Sequence, residues 1–79
     1  MTNNEVKYER FDECYGTVID RCNTGVFLEL DNGQQAFAYN FVMINRGSKV
    51  ICSVQRLPEG NKRMEVSINS VMHYASAAA

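Results

Sequence analysis

Residues 16–30 limit the fold of this chain more than any other segment, because two glycines there separate two runs rich in strand-forming residues. Side chains along an extended strand alternate between its two faces. In the second run, Val26, Leu28 and Leu30 therefore share one apolar face, which predicts a strand buried on that side. Phe27 lies on the opposite face, where a large aromatic side chain needs a separate explanation.

Turn-forming residues separate the alternating runs. Asp31-Asn32-Gly33 is the strongest hairpin signal in the chain, because asparagine and glycine tolerate the positive φ angles of tight hairpin turns. Pro58 marks the start of a later turn. Gly16, inside the first strand, predicts a bend, a bulge or a close approach of two backbones. Between these signals the sequence predicts five strands, at residues 13–22, 26–30, 35–41, 49–57 and 62–68.

Five short strands without a helical period predict an all-β fold. Their number and the chain length of 79 residues favour a five-stranded antiparallel barrel of the OB type, with an SH3-like barrel as the alternative. The connector at residues 40–47 has room for one short helical turn between strands three and four. We expect a single domain over residues 1–79, with its core at about 11–70. The ends, 1–5 and 70–79, are expected to be flexible, and the tail from residue 69 to be loose or briefly helical.

The three cysteines, Cys14, Cys22 and Cys52, form no C-x-x-C pair. Two of them, Cys14 and Cys52, fall at inward strand positions, where cysteine behaves as a small hydrophobe, so we expect no metal site and no disulfide framework. Reduced thiols and a start without the regions of a signal peptide predict a cytoplasmic protein. No apolar run approaches the ~20 residues that span a bilayer, so we expect no membrane partner.

No catalytic constellation is evident in the sequence. His73 is the only histidine and falls in the predicted tail. Gly47-Ser-Lys49 lacks the preceding glycine of a phosphate-binding loop and opens a strand instead of a helix. No nucleophile has a base and an orienting group in view. We therefore predict a protein that is not an enzyme, with no cofactor and no small-molecule substrate.

Four short motifs, in order, carry a resemblance to a known family over residues 13–68. The first two strands contain Gly16-Thr-Val18 and Gly25-Val-Phe27-Leu-Glu-Leu30, which match G-x-V and G-x-F-V-x-L. The fourth contains Gly47-Ser-Lys-Val50, matching G-x-x-V, and the last contains Arg63-Met-Glu-Val66-Ser67-Ile68 in place of R-x-x-L-S-L. In these motifs the chain resembles the S-one RNA-binding domain, an OB-fold family named after a large protein of the small ribosomal subunit.

The resemblance implies that the chain binds single-stranded RNA. The ribosome or another protein is the alternative partner. In that family, aromatic side chains on strands two and three meet the RNA, with an acid and an arginine near the last hairpin. By position, Phe27 matches the family's phenylalanine and Tyr39 lies near a family histidine. Glu59 and Arg63 lie near the acid and the arginine.

The chain also departs from the family pattern. Thr24 stands where an aromatic often precedes the second glycine, and Arg21 stands at a usually apolar position. The connector between strands three and four is shorter than usual. The strand-three run of small, aliphatic and histidine residues is replaced by Ala36-Phe-Ala-Tyr39.

Strand alternation, independently of the resemblance, places Phe27 and Arg63 on outward faces. Phe27 either stacks on bases or packs under a connecting segment. The face on which Tyr39 lies depends on the register of strand three, because a slip of one residue would move its side chain to the other face. Lys62 and Arg63 are either phosphate contacts or a solvated hairpin end. The residues expected to meet RNA are Phe27, Tyr39, Arg63, Lys62, Arg21, Lys49 and Glu59, with Arg56 as a further flanking cation.

The charge balance favours an alternative function. The formal net charge is −1 and the pI is about 5.7, whereas strong nucleic-acid binders are often basic overall. A barrel of this kind without nucleic-acid binding would serve as a protein-interaction module. Thr24 and the outward-facing Ile51 are consistent with that alternative. Cations gathered around Phe27 would favour RNA, and acids or an apolar patch there would favour a protein partner.

Overall fold

The strands of this protein close into a barrel. A computed structural model describes residues 8–39 and 44–76, and within them five β-strands form one closed sheet. The all-β fold and the five-stranded OB-type barrel predicted from the sequence are confirmed. The strands are β1 (Glu13–Cys22), β2 (Gly25–Leu30), β3 (Gln35–Ala38), β4 (Lys49–Arg56) and β5 (Met64–His73).

The strand order around the barrel is β1-β2-β3-β5-β4, and β4 pairs back onto β1. Neighbouring strands are antiparallel except β3 and β5, which run parallel from the pair Ala36–Met64 to the pair Ala38–Val66. A ring with an odd number of strands cannot alternate direction all the way round, so at least one neighbouring pair must be parallel. The parallel pair places the start of β5 beside the start of β3.

The core is built from the inward faces of the strands. In β4, Val50, Cys52 and Val54 are buried and alternate with more exposed neighbours, as the sequence predicted. Cys14 lies directly opposite Cys52 in the β1–β4 ladder, with the two sulfur atoms 3.3 Å apart as free thiols. Other core side chains are Val18, Val26, Leu28, Leu30, Ile44, Met64 and Val66.

The bulge in β1 lies near its middle, not at Gly16. Gly16 pairs regularly with Leu30 and Val50, and the register shifts between Val18 and Asp20. A Cβ atom on Gly16 would lie 3.1 Å from Cδ2 of Leu30. The glycine therefore serves the close packing of neighbouring strands, the third of the roles that the sequence left open.

Two predicted strand boundaries are wrong by three residues or more. β3 ends at Ala38, short of the predicted residue 41, and residues 40–43, the first half of the connector predicted to hold a helical turn, lie outside the described residues. Residues 44–48 contain a turn and no helix. β5 continues to His73 instead of ending at residue 68, so the first part of the predicted loose or helical tail is strand. The extension forms because its residues pair with the first half of β4, for example Ser70 with Ile51.

No helix in the described part of the chain is long and apolar enough to cross a membrane.

Candidate nucleic-acid interface

Three aromatic side chains form a cluster on the outer surface of the barrel. Phe27 of β2 and Phe37 of β3 are directly opposite in the ladder, with ring centroids 4.9 Å apart and ring planes at 61°. Tyr39, just after β3, lies 4.7 Å from Phe37 with ring planes at 79°. These edge-to-face contacts are a favourable geometry for aromatic pairs. Phe37 is largely buried beneath its neighbours, whereas Tyr39 is 57% exposed.

The β2–β3 hairpin holds this cluster because of Gly25, at the start of β2. A Cβ atom on Gly25 would collide with the carbonyl oxygen of Ala38 and lie 2.9 Å from Cζ of Phe37. Only a residue without a side chain lets β3 approach β2 this closely at its end. The glycine of the G-x-F motif therefore has a packing role that also positions the aromatic cluster.

A cation covers the aromatic cluster. The guanidinium carbon of Arg63 lies 5.0 Å from the centroid of the Phe27 ring, a cation–π contact. Arg63 precedes Met64, which opens β5 beside Ala36 of β3. The parallel β3–β5 pairing is therefore what brings Arg63 to the aromatic cluster.

The cluster lies in a surface groove of about 490 Å³. Three cations and one acid line the groove within the described part of the chain, and the acid, Glu65, pairs with Arg56 at 3.4 Å. Both partners are partly exposed, so this ion pair is a weak one. The groove combines an aromatic floor with a net positive rim. Its lining residues are Cys22, Thr24, Phe27, Phe37, Tyr39, Arg56, Lys62, Arg63, Met64 and Glu65.

The structure brings four of the seven predicted residues together, since Phe27, Tyr39, Lys62 and Arg63 line this groove. The other three lie elsewhere. Glu59 lines an adjoining cavity together with Arg56 and Glu65.

Arg21 and Lys49 do not line the groove. Nη1 of Arg21 donates to the carbonyl oxygen of Ile44 at 3.3 Å. Nζ of Lys49 donates to Oγ1 of Thr17 at 3.3 Å. Lys49 and Arg56 are the first and last residues of β4, and at the usual rise per strand residue their backbones lie roughly 23 Å apart. Alternation predicts only that a side chain faces outward. Outward-facing side chains of a barrel lie all around its axis, so two of them need not lie on the same side.

The main residue that sequence reasoning missed is Phe37. It lies two positions before Tyr39, on the same strand face, and opposite Phe27 in the hairpin. The Asp31-Asn32-Gly33 turn contained part of the signal, because a hairpin's register is set by its turn and loop length. A three-residue loop with Leu30 opposite Gln34 pairs Phe27 with Phe37, whereas a two-residue Asn-Gly turn would pair Phe27 with Ala38, and the structure has the three-residue loop.

The thiol of Cys22 lies at the edge of the groove and is exposed. Its sulfur is 3.4 Å from Oγ1 of Thr24. The hydrogen bond from the Thr24 hydroxyl lowers the pKa of the Cys22 thiol by stabilising the thiolate. Among the described residues, no group of three or more His, Cys, Asp or Glu side chains is arranged to hold a metal ion.

Comparison with known proteins assigns no family to this chain. No family model matches it, and no curated protein matches its sequence.

Proposed function

We propose that this protein binds single-stranded RNA in the aromatic groove. The observation that carries the proposal is the surface cluster of the exposed Tyr39, the half-buried Phe27 and the largely buried Phe37, with Arg63 over Phe27 and further cations at its border. Unpaired bases stack on aromatic rings and on the plane of an arginine guanidinium, and cations along the rim meet the phosphates. Tyr39 offers the most accessible ring, and Arg63 offers a flat cationic surface above Phe27.

Local charge supports binding despite the acidic balance of the whole chain. The groove has Arg56, Lys62 and Arg63 against Glu65 alone, and Arg56 partly neutralises that carboxylate. An overall net charge of −1 means that little long-range attraction adds to these contacts. We expect moderate affinity that depends on both stacking and salt.

The motif resemblance to the S-one domain family also supports the proposal. Phe27 and Arg63, two positions carried over from that family, contact each other in the groove. Thr24, which stands where the family often has an aromatic, also lines the groove and makes its stacking surface smaller. The proposed ligand is a single strand of cytoplasmic RNA.

A protein-interaction module is the second candidate. The observation that favours it is an exposed aromatic on another part of the barrel, Tyr15, which is 42% exposed and paired with the half-buried Ile51. A protein partner or the ribosome would then contact the outer face of β1 and β4. The two functions use different surfaces, so variants can separate them.

A titration of fluorescently labelled single-stranded RNA tests the proposal. If three cations each meet one phosphate, the logarithm of the association constant should fall with a slope of about −2 against the logarithm of salt concentration. Between about 50 and 200 mM salt the affinity would then fall about 20-fold. Duplex DNA of the same length should bind more weakly, because its bases are already stacked. Absence of binding to any single-stranded RNA at low salt would overturn the proposal.

A further inference from the structure

Another exposed aromatic side chain lies outside the groove, at the turn before β1. Phe11 is 70% exposed, the largest exposed fraction among the large hydrophobic residues described. Its backbone has a φ of 74°, which a bulky residue rarely adopts and which costs conformational energy. The barrel core does not explain this residue, because its side chain is directed into solvent.

The turn around Phe11 is tightly held by hydrogen bonds. The N–H of Phe11 donates to the carbonyl oxygen of Val54 at 2.8 Å, which attaches the turn to the end of β4. The N–H of Glu9 donates to Oδ2 of Asp12 at 2.8 Å, and the N–H of Asp12 donates to the carbonyl oxygen of Glu9 at 3.0 Å. These bonds keep the unusual backbone conformation in place and present the ring at a defined position.

Phe11 is covered by a cation in the same way as Phe27. The guanidinium carbon of Arg10 lies 4.8 Å from the centroid of the Phe11 ring, and that of Arg63 lies 5.0 Å from the Phe27 ring. Residues 8–39 and 44–76 therefore contain two arginine–phenylalanine pairs. Each offers a ring and a guanidinium plane to a planar ligand.

Two adjoining surface cavities reach from the Arg63–Phe27 pair to Arg10, whose guanidinium lies over Phe11. Arg10 lines a second cavity of about 610 Å³, and Arg56 and Glu65 line both this cavity and the aromatic groove. An RNA strand that leaves the groove would pass over Arg56 and then meet Arg10 and Phe11. Leu57, which is 38% exposed, also lines the second cavity.

The net charge around the Arg10–Phe11 pair differs from that around the Arg63–Phe27 pair. The second cavity has two cations, Arg10 and Arg56, and two acids, Glu59 and Glu65. It therefore offers no net attraction for phosphates, unlike the aromatic groove. A ligand at Phe11 would gain from stacking on the ring, with little additional dependence on salt.

We propose that Arg10 and Phe11 form a second stacking position for a nucleobase, so that the ligand is a single strand long enough to run from the groove across Arg56 to Phe11. This inference rests on the proposed RNA-binding function and adds the length and path of the ligand. Site sizes of about 4–16 nucleotides per OB fold are consistent with a strand that uses two separated stacking positions.

The test is a length series of oligouridylates of about four, eight and twelve nucleotides, measured by fluorescence anisotropy with the full chain. Affinity should rise with length once the strand reaches Phe11. Phe11→Gly should remove that rise, lowering the affinity for the longest oligomer about five- to tenfold while leaving the shortest unchanged. Glycine suits this test because it adopts a positive φ without strain, so the turn should keep its shape. Phe11→Tyr should retain the rise.

Two controls make the outcomes distinct. Tyr15→Ala removes a different exposed aromatic and should bind all lengths as the wild type does.

Photo-crosslinking of a 4-thiouridine oligomer to wild-type protein provides a readout without substitution, and the peptide containing Phe11 should be crosslinked by long oligomers only. If Phe11→Gly binds the longest oligomer normally, or long oligomers never crosslink that peptide, the second position is overturned and the groove proposal stands. If wild type binds no length, the proposed function itself fails.

Discussion

The guanidinium carbon of Arg63 lies 5.0 Å from the centroid of the Phe27 ring, although the two residues belong to distant parts of the chain. The contact depends on two ladders. The β2–β3 hairpin places Phe27 opposite Phe37, and the parallel β3–β5 pairing places Met64, next to Arg63, opposite Ala36. The candidate RNA-binding surface is therefore a product of barrel closure, and its residues can be tested separately from the core.

Phe27→Leu should weaken single-stranded RNA binding by about 1–3 kcal/mol, because leucine lacks the aromatic face on which a base stacks. Leucine keeps most of the apolar volume against Phe37, so the barrel should remain folded. Anisotropy titration measures the affinity, and thermal melting followed by circular dichroism checks the fold. Wild-type affinity in a folded Phe27→Leu protein would show that this ring does not stack on RNA.

Arg63→Ala should weaken RNA binding and make the salt slope shallower by about 0.7, the contribution of one phosphate contact on a single strand. Arg63→Lys is the matched variant: it retains the charge and the slope but loses the planar surface over Phe27. The measurement is the affinity of each variant across several salt concentrations. An unchanged slope for Arg63→Ala would mean that this cation meets no phosphate.

Leu28→Ala should lower the free energy of unfolding by about 2–5 kcal/mol, because the fully buried side chain leaves a cavity in the barrel core. Gln55→Ala, at an exposed position of β4, should change it by no more than about 0.5 kcal/mol. Urea unfolding of both variants measures the difference. Comparable losses would contradict the register that directs Leu28 inward.

Gly25→Ala should destabilise the barrel by about 3 kcal/mol or more and displace Phe37, because its Cβ atom would collide with the Ala38 carbonyl oxygen. Gly33→Ala is the control. Gly33 has open space around it, and its φ of 88° limits the loss to about 1–2 kcal/mol of backbone strain. Urea unfolding ranks the two variants, and a smaller loss for Gly25→Ala would show that the close approach at β3 is easily relieved.

Cys22 should be the first cysteine to react with iodoacetamide in the folded protein. The Thr24 hydroxyl lowers the pKa of its exposed thiol, whereas the hydrogen bond to Cys14, followed by burial, raises the pKa of Cys52. Since the thiolate is the reactive form, a lowered pKa moves the rise in alkylation rate to lower pH, and Thr24→Val should move it back to higher pH.

Mass spectrometry of alkylated protein between about pH 6 and pH 9 provides the measurement for Cys22. Folded protein should gain one adduct and denatured protein three, one for each cysteine. Rapid reaction of Cys14 or Cys52 in the folded state would contradict their burial in the core.

Local patterns predicted much of the barrel. Alternation identified the buried faces of β2 and β4, including Leu28 and Val54, and turn residues marked the β2–β3 hairpin. For the candidate site, alternation directed Phe27 and Arg63 outward. Each of these inferences depends only on residues a few positions apart, because side chains of an extended chain alternate whatever lies beside the strand.

The sequence by itself therefore determined that the chain is all-β, which faces of β2 and β4 enter the core, and that Phe27 and Arg63 face outward. Only the tertiary structure decided that they meet, that Phe37 completes their cluster, and that Lys49 lies at the far end of β4 from the groove. It also decided that β5 continues to His73 along β4. The physical reason is that alternation sets only the inward or outward side of a strand, whereas position around a closed barrel depends on pairing between distant strands.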